Sequence, residues 1–258
     1  METGLIATYV PELVVTSFVV AVAASYAALK TTGRIRASDA VARRWWLAGG
    51  ALAMGIGVWS MHFIGMLALQ MDVGSSYSMT ETFASLVVVV VAASLAVRYA
   101  AHNPESLPRL AVAGTGLGLS VVVMHYMGMF GLKIYGFITW DMALVGASML
   151  IAVVAATAAL WLAFNTPTMA RRVLAALVMG VAVCAMHYTG MAAAEFVCTT
   201  DNRAAIPQGT GFISAFRLPL LVTATTVLMT LLLSMDQLFQ HLAARGQRAR
   251  RATGTQRA

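Results

Sequence analysis

Residues Trp59–Met66 read WSMHFIGM, and the same pattern returns at Val122–Met129 (VVMHYMGM) and at Cys184–Met191 (CAMHYTGM). Each copy contains Met-His-aromatic-x-Gly-Met, the three histidines are 63 and 62 residues apart, and a glycine stands seven residues before each histidine. Regular spacing of this kind indicates an internal repeat. The repeating unit has room for a pair of helices, which places the motif on the second, fourth and sixth helix of the chain.

The regions around these motifs are apolar enough for a membrane protein. Of the 258 residues, 60% are hydrophobic and 10% are charged, whereas soluble domains carry about 25% charged residues. A helix needs about 20 apolar residues to cross a bilayer, and we predict an all-α, polytopic membrane helix bundle with three two-helix repeats and a seventh helix. The predicted spans are residues 9–29, 45–69, 82–100, 109–132, 142–163, 172–195 and 213–235. We expect one domain at residues 1–240 and a flexible basic tail at 241–258.

The distribution of positive charge predicts the orientation. Fourteen of the 17 Lys and Arg residues lie between spans 1 and 2, 3 and 4, or 5 and 6, or in the C-terminal tail. Cytoplasmic loops carry the excess of Lys and Arg, so the interpretation is a multi-pass protein of the bacterial inner membrane with its N-terminus outside and its C-terminus in the cytoplasm. No basic stretch precedes the first span, which favours a retained helix. The net charge of +7 is therefore a topology signal, and we expect no nucleic-acid partner.

The repeat and the topology together predict a metal centre. All three motif helices run from inside to outside, so their histidines lie at one depth, in the outer third of the membrane. Residues four apart share one face of a helix, which pairs each histidine with the methionine that ends its motif. The predicted ligands are His62, Met66, His125, Met129, His187 and Met191. The residues predicted to flank the site are Met61, Met124, Met186, Tyr126, Tyr188 and Cys184.

The ligand types favour copper. Thioether suits Cu(I) and imidazole suits copper, zinc, iron or nickel, whereas the motifs lack the carboxylates that Mg²⁺ and Ca²⁺ prefer. Haem and zinc are the alternatives, and a hydrogen-bond network between the histidines is the reading without a metal. The tyrosines fit an interfacial aromatic belt equally well. Cys184 fits a small buried residue better than a fourth soft ligand, and we expect no disulfide with Cys198. Glu81, Asp72 and Glu195 are expected as loop charges, and His102 and His241 as cytoplasmic residues.

The three motifs resemble the MHYT family of bacterial integral membrane sensor domains, over about residues 9–235. The resemblance implies a seven-helix sensor that binds copper near the outer face and detects O₂, CO, NO or redox state. The family's Met, His and Tyr correspond to Met61, His62 and Phe63, to Met124, His125 and Tyr126, and to Met186, His187 and Tyr188. Phe63 departs from the pattern, which puts a general ligand role for the aromatic hydroxyl in doubt. Family members often continue into cyclic-di-GMP synthesis and breakdown domains. The sequence contains no such domain, so we expect no enzymatic activity from it. Either the sequence is part of a longer protein, or the partner is a separate cytoplasmic signalling protein or cyclic-di-GMP enzyme.

Two other functions compete with sensing. A copper transporter or other metal-handling membrane protein would need ligands in the inner half of the membrane as well, but the candidate ligands cluster at one depth. A metalloenzyme such as a zinc hydrolase would need an open coordination position and a carboxylate base, and no acidic residue lies in any motif. The sequence leaves the oligomeric state open.

Overall fold

The computed structural model describes residues 7–35, 39–165, 168–214 and 217–226, and six long helices dominate these ranges. Each helix overlaps one of the first six predicted spans, and all six are long and apolar enough to cross a membrane. They are α1 (Pro11–Ile35), α2 (Ala40–Ala68), α3 (Met79–Ala101), α4 (Leu107–Gly131), α5 (Met142–Asn165) and α6 (Met169–Ala192). The predicted all-α class with membrane-spanning helices is confirmed for this part of the chain.

Residues suited to helix starts stand at the beginnings of these helices. Pro11 is the first residue of α1, and Pro108 lies in the first turn of α4. Proline has no backbone N–H, and the N–H groups of a first turn have no partner within the helix in any case. Asp39, just before α2, and Asp141, just before α5, each accept hydrogen bonds from two backbone N–H groups of the first turn. Thr168 accepts one in the same way before α6. These bonds satisfy donors that the helix itself leaves without partners.

Short strands cover one end of the bundle, where the sequence predicted only loops. The strands are β1 (Ala7–Tyr9), β2 (Leu69–Met71), β3 (Ser76–Ser78), β4 (Leu132–Lys133), β5 (Gly136–Trp140), β6 (Ala194–Cys198) and β7 (Phe212–Ser214). All pairings are antiparallel: β1 with β2, β3 with both β4 and β7, and β5 with β6. We call this group of strands the cap. Strands of two to five residues are too short to show the period-2 pattern that reveals a strand in sequence.

The seventh predicted span differs at its start. The predicted range is 213–235, but residues 212–214 belong to β7 and helical structure begins at residue 218. Leu218 and Val222 are buried in the central apolar cluster, so this segment packs against the bundle. The remainder of the span and the basic tail at 241–258 lie outside the described residues. The sixth span also ends earlier than predicted, at Ala192 instead of 195, because β6 begins at Ala194.

The helices pack as a ring in chain order. Each helix contacts its chain neighbours, and α6 closes the ring against α1. The three motif helices α2, α4 and α6 also contact one another in the centre. Among the six, α2 is the most deeply buried. The odd-numbered helices therefore surround a central trio that carries the motifs.

The glycines seven residues before the histidines bring the motif helices close to the odd-numbered ones. A Cβ atom on Gly118 of α4 would lie 2.6 Å from Cα of Val153 on α5, and one on Gly55 of α2 would lie 2.9 Å from Cα of Val90 on α3. Gly180 of α6 faces Val22 of α1 in the same way. Small residues at membrane helix interfaces allow such backbone approach. The recurring glycine is thus a packing residue at the edge of each motif helix.

Ion pairs lie at the cap end. Lys133 Nζ is 3.1 Å from Glu81 Oε1, and Arg203 pairs with Asp72. At the other end, the Arg43 guanidinium donates to the carbonyl oxygen of Ala101 at 3.2 Å. The loops predicted to share one side of the membrane therefore do share one end of the bundle.

Candidate metal centre

The structure brings the three motif histidines together at the centre of the bundle. His62 lies six residues before the end of α2, His125 six before the end of α4, and His187 five before the end of α6. Nearly equal distances from the helix ends place the three rings at about one level, a short way below the cap. Their exposed fractions are 1%, 0% and 1%, respectively. We call these residues the histidine triad.

The Nδ1 atoms of the triad face one another. The Nδ1–Nδ1 distances are 3.1 Å between His125 and His62, 3.2 Å between His62 and His187, and 3.3 Å between His187 and His125. The three rings stand nearly perpendicular to one another, with interplanar angles of 73° to 88°. The nitrogens thus form an almost equilateral triangle on the axis between α2, α4 and α6.

Such a triangle of nitrogens cannot be satisfied by protons alone. A neutral imidazole carries one N–H and one acceptor nitrogen. If one Nδ1 atom carries a proton, the other two face each other with their lone pairs. If two Nδ1 atoms carry protons, their N–H groups point at each other. A point equidistant from nitrogens about 3.2 Å apart lies about 1.9 Å from each, close to the metal–nitrogen distances of about 2.0–2.1 Å known for zinc. The donor set therefore fits a metal ion.

The opposite ring nitrogens pack against the motif glycines of neighbouring helices. Nε2 of His62 lies against Gly128 on α4, Nε2 of His125 against Gly190 on α6, and Nε2 of His187 against Gly65 on α2. A Cβ atom on any of these glycines would overlap the ring. Among the described residues, none of the three Nε2 atoms has a hydrogen-bond partner. Each motif thus supplies one imidazole and the glycine surface that holds the imidazole of another motif.

The motif methionines are buried around the triad. Met66, Met129 and Met191 lie in the central apolar cluster, together with Met124 and Met186. Met61 is also buried. Among the His, Cys, Asp and Glu residues that the structure describes, the three histidines form the group whose ligand atoms converge, within 4.8 Å of one another. The methionine sulfurs as ligands stay a prediction.

The two motif tyrosines form hydrogen bonds with serines on the odd-numbered helices. Tyr126 Oη is 2.8 Å from Ser148 Oγ on α5, and Tyr188 Oη is 2.9 Å from Ser17 Oγ on α1. A residue hydrogen-bonded inside the bundle is not simply part of a lipid-facing aromatic belt. These two contacts join each tyrosine helix to a neighbouring odd-numbered helix.

Phe63 has no hydroxyl group and cannot make this hydrogen bond, and Trp59 binds the neighbouring odd-numbered helix instead. The Trp59 ring lies one turn below Phe63, with the ring centroids 4.8 Å apart. Its Nε1 donates to Ser85 Oγ on α3 at 3.2 Å and to the carbonyl oxygen of Thr82 at 3.1 Å. The departure from tyrosine in the first motif is therefore compensated by a tryptophan, at a position where the other motifs have Val122 and Cys184.

A second aromatic residue in each repeat links the motif to the cap. Tyr77 of β3 packs on Phe63 with centroids 6.1 Å apart, Trp140 at the end of β5 on Tyr126 at 5.2 Å, and Tyr9 of β1 on Tyr188 at 5.8 Å. Burial raises the pKa of Tyr77, and burial together with Tyr188 raises the pKa of Tyr9, so both phenols stay neutral at physiological pH.

These cap aromatics were not predicted, although the sequence contains a signal for them. Each cap aromatic stands eight residues before the serine that the motif helix binds. The pairs are Tyr9 and Ser17, Tyr77 and Ser85, and Trp140 and Ser148. The spacing recurs in every repeat but has no apolar periodicity, so it is visible only when the odd-numbered helices are aligned with one another.

The remaining predicted residues lie outside the triad. Cys184 is half-buried beside Ser17, and Cys184 and Cys198 are both free thiols. Glu81 lies in the first turn of α3 and Glu195 lies in strand β6, rather than in loops. His102 is exposed at the end of α3, away from the cap. His241 falls outside the described residues.

A family model for the bacterial signalling protein N-terminal repeat, MHYT, matches the chain three times, at residues 55–113, 118–176 and 180–254. The matches begin at Gly55, Gly118 and Gly180 and, in the first two copies, take in the odd-numbered helix that follows the motif helix. The matched ranges leave α1 outside the repeats, whereas the spacing of the motifs alone leaves the seventh span outside.

Curated relatives carry the same region in longer proteins. The chain is 38% identical over 246 residues to the bifunctional diguanylate cyclase/cyclic di-GMP phosphodiesterase MucR of Pseudomonas aeruginosa. This match covers 93% of this chain and 36% of the relative. It is 30% identical to signaling protein YkoW of Bacillus subtilis, over 73% of this chain and 24% of the relative. It is 34% identical to the cyclic di-GMP phosphodiesterase NbdA of P. aeruginosa, over 72% and 24%.

The chain thus spans about a quarter to a third of the length of these relatives. No solved structure matches it. The family model covers most of the chain and centres on the motif helices that form the triad. The chain is therefore a member of the MHYT family, the N-terminal repeat of bacterial signalling proteins.

Proposed function

We propose that this protein is the membrane sensor part of a signalling system and that its histidine triad binds one metal ion, which we assign as copper. The observation that carries the proposal is the triangle of three buried Nδ1 atoms, 3.1 to 3.3 Å apart. Converging nitrogens in an apolar interior are costly without a cation between them. Intramembrane histidines are expensive and usually functional, and here three share one point.

Copper, in its Cu(I) state, fits the surroundings best. The triad supplies only neutral ligands, so the buried site would carry the full charge of its ion. The cost of transferring an ion into a low-dielectric interior rises steeply with charge, which favours a monovalent ion over Zn²⁺ or Fe²⁺. The buried methionines Met66, Met129 and Met191 offer soft sulfur on the cap side, which suits Cu(I). Bound copper would supply a redox-active centre able to take a further small ligand.

The signal in this proposal is a diatomic gas (O₂, CO or NO) or the redox state. The protein lies in the bacterial inner membrane with the cap in the periplasm, so the triad sits near the outer face. The cap aromatics Tyr9, Tyr77 and Trp140 connect the level of the triad to the starts of the odd-numbered helices. The output is a cyclic-di-GMP enzyme, as the names of two relatives suggest, either in the same polypeptide or as a separate cytoplasmic protein.

Elemental analysis of the detergent-purified protein tests the metal. We expect about one copper per chain in the unaltered protein and none when His62, His125 and His187 are all replaced by Gln. The matched control is His102→Gln, at an exposed histidine away from the cap, which should leave the copper content unchanged. Equal metal content in the unaltered protein and the triple variant would overturn the proposal.

Absorption spectroscopy of the copper-loaded protein tests the signal. We expect the spectrum of the reduced, Cu(I) protein to change when the protein is oxidised and when CO or NO is added to it, and the triple histidine variant to show neither change. If neither gas changes the spectrum of the reduced protein, gas sensing is contradicted but redox sensing is not. Identical spectra of the oxidised and the reduced protein would contradict redox sensing as well.

A copper transporter is the second function that the triad could serve. Transport would need further ligands on the side of the triad away from the cap. The layer next to the histidines there consists of Val58, Val121 and Val183, and valine offers no ligand. The layer beyond it has two thioethers, Met54 and Met179, but Leu117 at the third position, so a set of three ligands is not repeated on this side. We therefore favour sensing, and time-dependent copper accumulation in reconstituted vesicles would reverse this preference.

A further inference from the structure

A small apolar chamber lies beside the histidine triad, on the side away from the cap. Val58, Val121 and Val183, which stand four residues before the three histidines, all line it. Met54, Leu117 and Met179, a further four residues back, line it as well. Since α2, α4 and α6 each contribute one residue to both layers, the chamber lies on the central axis. Four residues of helix, a rise of about 6 Å, separate its valine layer from the histidines.

The chamber has room for a small molecule but few polar groups that could bind water. Its volume is about 40 Å³, whereas a cavity needs roughly 10–15 Å³ to hold one water molecule. A buried water also needs two to four polar partners, and Ser25 of α1 is the one polar residue in this lining. Apolar cavities of this kind stay dry and bind apolar guests such as xenon.

The chamber also reaches toward the outside of the bundle. Beyond the axis, its lining continues onto alanines of α5 and α6, including Ala155 and Ala182. Both of these residues are half-buried, so the edge of the chamber approaches the surface between these two helices. Small apolar molecules dissolve in lipid, and a route between alanines would not require displacement of a large side chain.

We propose that this chamber is a binding site for a small apolar molecule of the size of a diatomic gas, which enters from the bilayer between α5 and α6. A guest held between the three valines lies one helical turn from the imidazoles, so the chamber concentrates the guest next to the triad. The consequence for signalling rests on the proposed function, but binding of the guest requires no metal. The chamber and the metal centre can therefore be tested separately.

Xenon is the probe, because it is apolar, inert and unable to act as an ordinary metal ligand. The full chain is prepared in detergent with ¹³C-labelled valine methyl groups, and NMR spectra are recorded at increasing xenon pressure. We expect saturable shifts of the methyl signals of Val58, Val121 and Val183. Shifts that rise linearly without saturation would overturn the proposal, as would contacts between detergent acyl protons and these methyl groups, which would assign the chamber to an acyl chain.

Two matched variants on α5 locate the guest. Ala156 is buried and lines the chamber, whereas Ala158, two residues away, is exposed. Ala156→Leu should weaken xenon binding at least tenfold because the larger side chain fills the chamber, and Ala158→Leu should change it less than twofold. Equal affinities in the two variants would contradict the proposed location.

A crystal of the unaltered protein under xenon pressure provides a check that depends on no variant. Xenon density between the three valines supports the proposal, and density confined to the lipid-facing surface overturns it. The triple histidine variant separates this proposal from the metal centre. Saturable xenon binding by unaltered protein that contains no copper would support the chamber and contradict the metal centre. Copper binding without saturable xenon binding would support the metal centre and contradict the chamber.

Discussion

Gly128 of α4 lies so close to the imidazole of His62 on α2 that a Cβ atom at this position would overlap Nε2. The same relationship joins Gly190 to His125 and Gly65 to His187. The three contacts run in one direction around the axis, from α2 to α4 to α6 and back to α2. Each ring is thus held on one side by glycine and faces the other two rings with Nδ1, so the motif glycine fixes the geometry of the triad.

Replacing the motif glycine should therefore damage the centre. Gly128→Ala should displace the His62 ring, lower copper affinity at least tenfold and reduce the free energy of unfolding by about 1–3 kcal/mol, the usual cost of overpacking. The measurements are copper titration and denaturant unfolding. Gly116→Ala is the control, since Gly116 lies exposed on the same helix with no atom within 4 Å of the added Cβ. Full copper affinity in Gly128→Ala would contradict the role assigned to this glycine.

Removing the metal should lower thermal stability. A ligand that binds only the folded state adds about 4 kcal/mol of stability when its free concentration is 1,000 times its Kd. A strong copper chelator should therefore lower the unfolding midpoint of the unaltered protein, as measured by tryptophan fluorescence during heating. The variant with Gln in place of His62, His125 and His187 should show no shift. Equal shifts in both proteins would show that the chelator acts at a site other than the histidine triad.

The tyrosine–serine bonds should stabilise the bundle modestly. In a double-mutant cycle of Tyr126→Phe and Ser148→Ala, we expect a coupling energy of about 0.6 kcal/mol, the average for hydrogen bonds between membrane helices. Unfolding free energies of the two single variants and the double variant provide it. Tyr99→Phe, at an exposed position of α3, serves as the control and should couple to Ser148→Ala by no measurable amount. Zero coupling between Tyr126 and Ser148 would mean that the 2.8 Å contact contributes nothing to stability.

Thiol labelling should establish the orientation. Cys198, in the cap, is a free and partly accessible thiol, and in a Cys184→Ser background it should react with a membrane-impermeant maleimide added to spheroplasts. A second protein that lacks both cysteines and carries His102→Cys at the opposite end should react only after the membrane is permeabilised. The reverse pattern would show that the cap faces the cytoplasm.

The helices were predictable because each depends on a local property. Twenty or so apolar residues in a row suffice for a membrane span whatever the neighbours are, and the first six spans were found in this way. The even spacing of the motifs also placed His62, His125 and His187 at one level, because helices with the same direction and similar lengths bring equivalent residues to equal depths.

The cap and the helix boundaries near it were not predictable in the same way. Strand β7 (residues 212–214) includes residues 213 and 214, which the apolar pattern assigned to a helix, because the strand pairs with Ser76–Ser78, about 135 positions earlier in the chain. A hydrogen-bond partner so distant leaves no mark on the local pattern. The role of Trp59 was hidden for a similar reason, since its partner Ser85 belongs to the next helix.

By itself, the amino-acid sequence determined the number and depth of the motif helices, because apolar length and repeat spacing are properties of single segments. Only the tertiary structure decided that Nδ1 rather than Nε2 faces the axis, and that each ring packs on the glycine of another motif. The physical reason is that ring orientation depends on the rotation of each helix about its own axis. That rotation is set by contacts with two neighbours, such as those of Gly55 with Val90 and Gly118 with Val153, and no single helix contains this information.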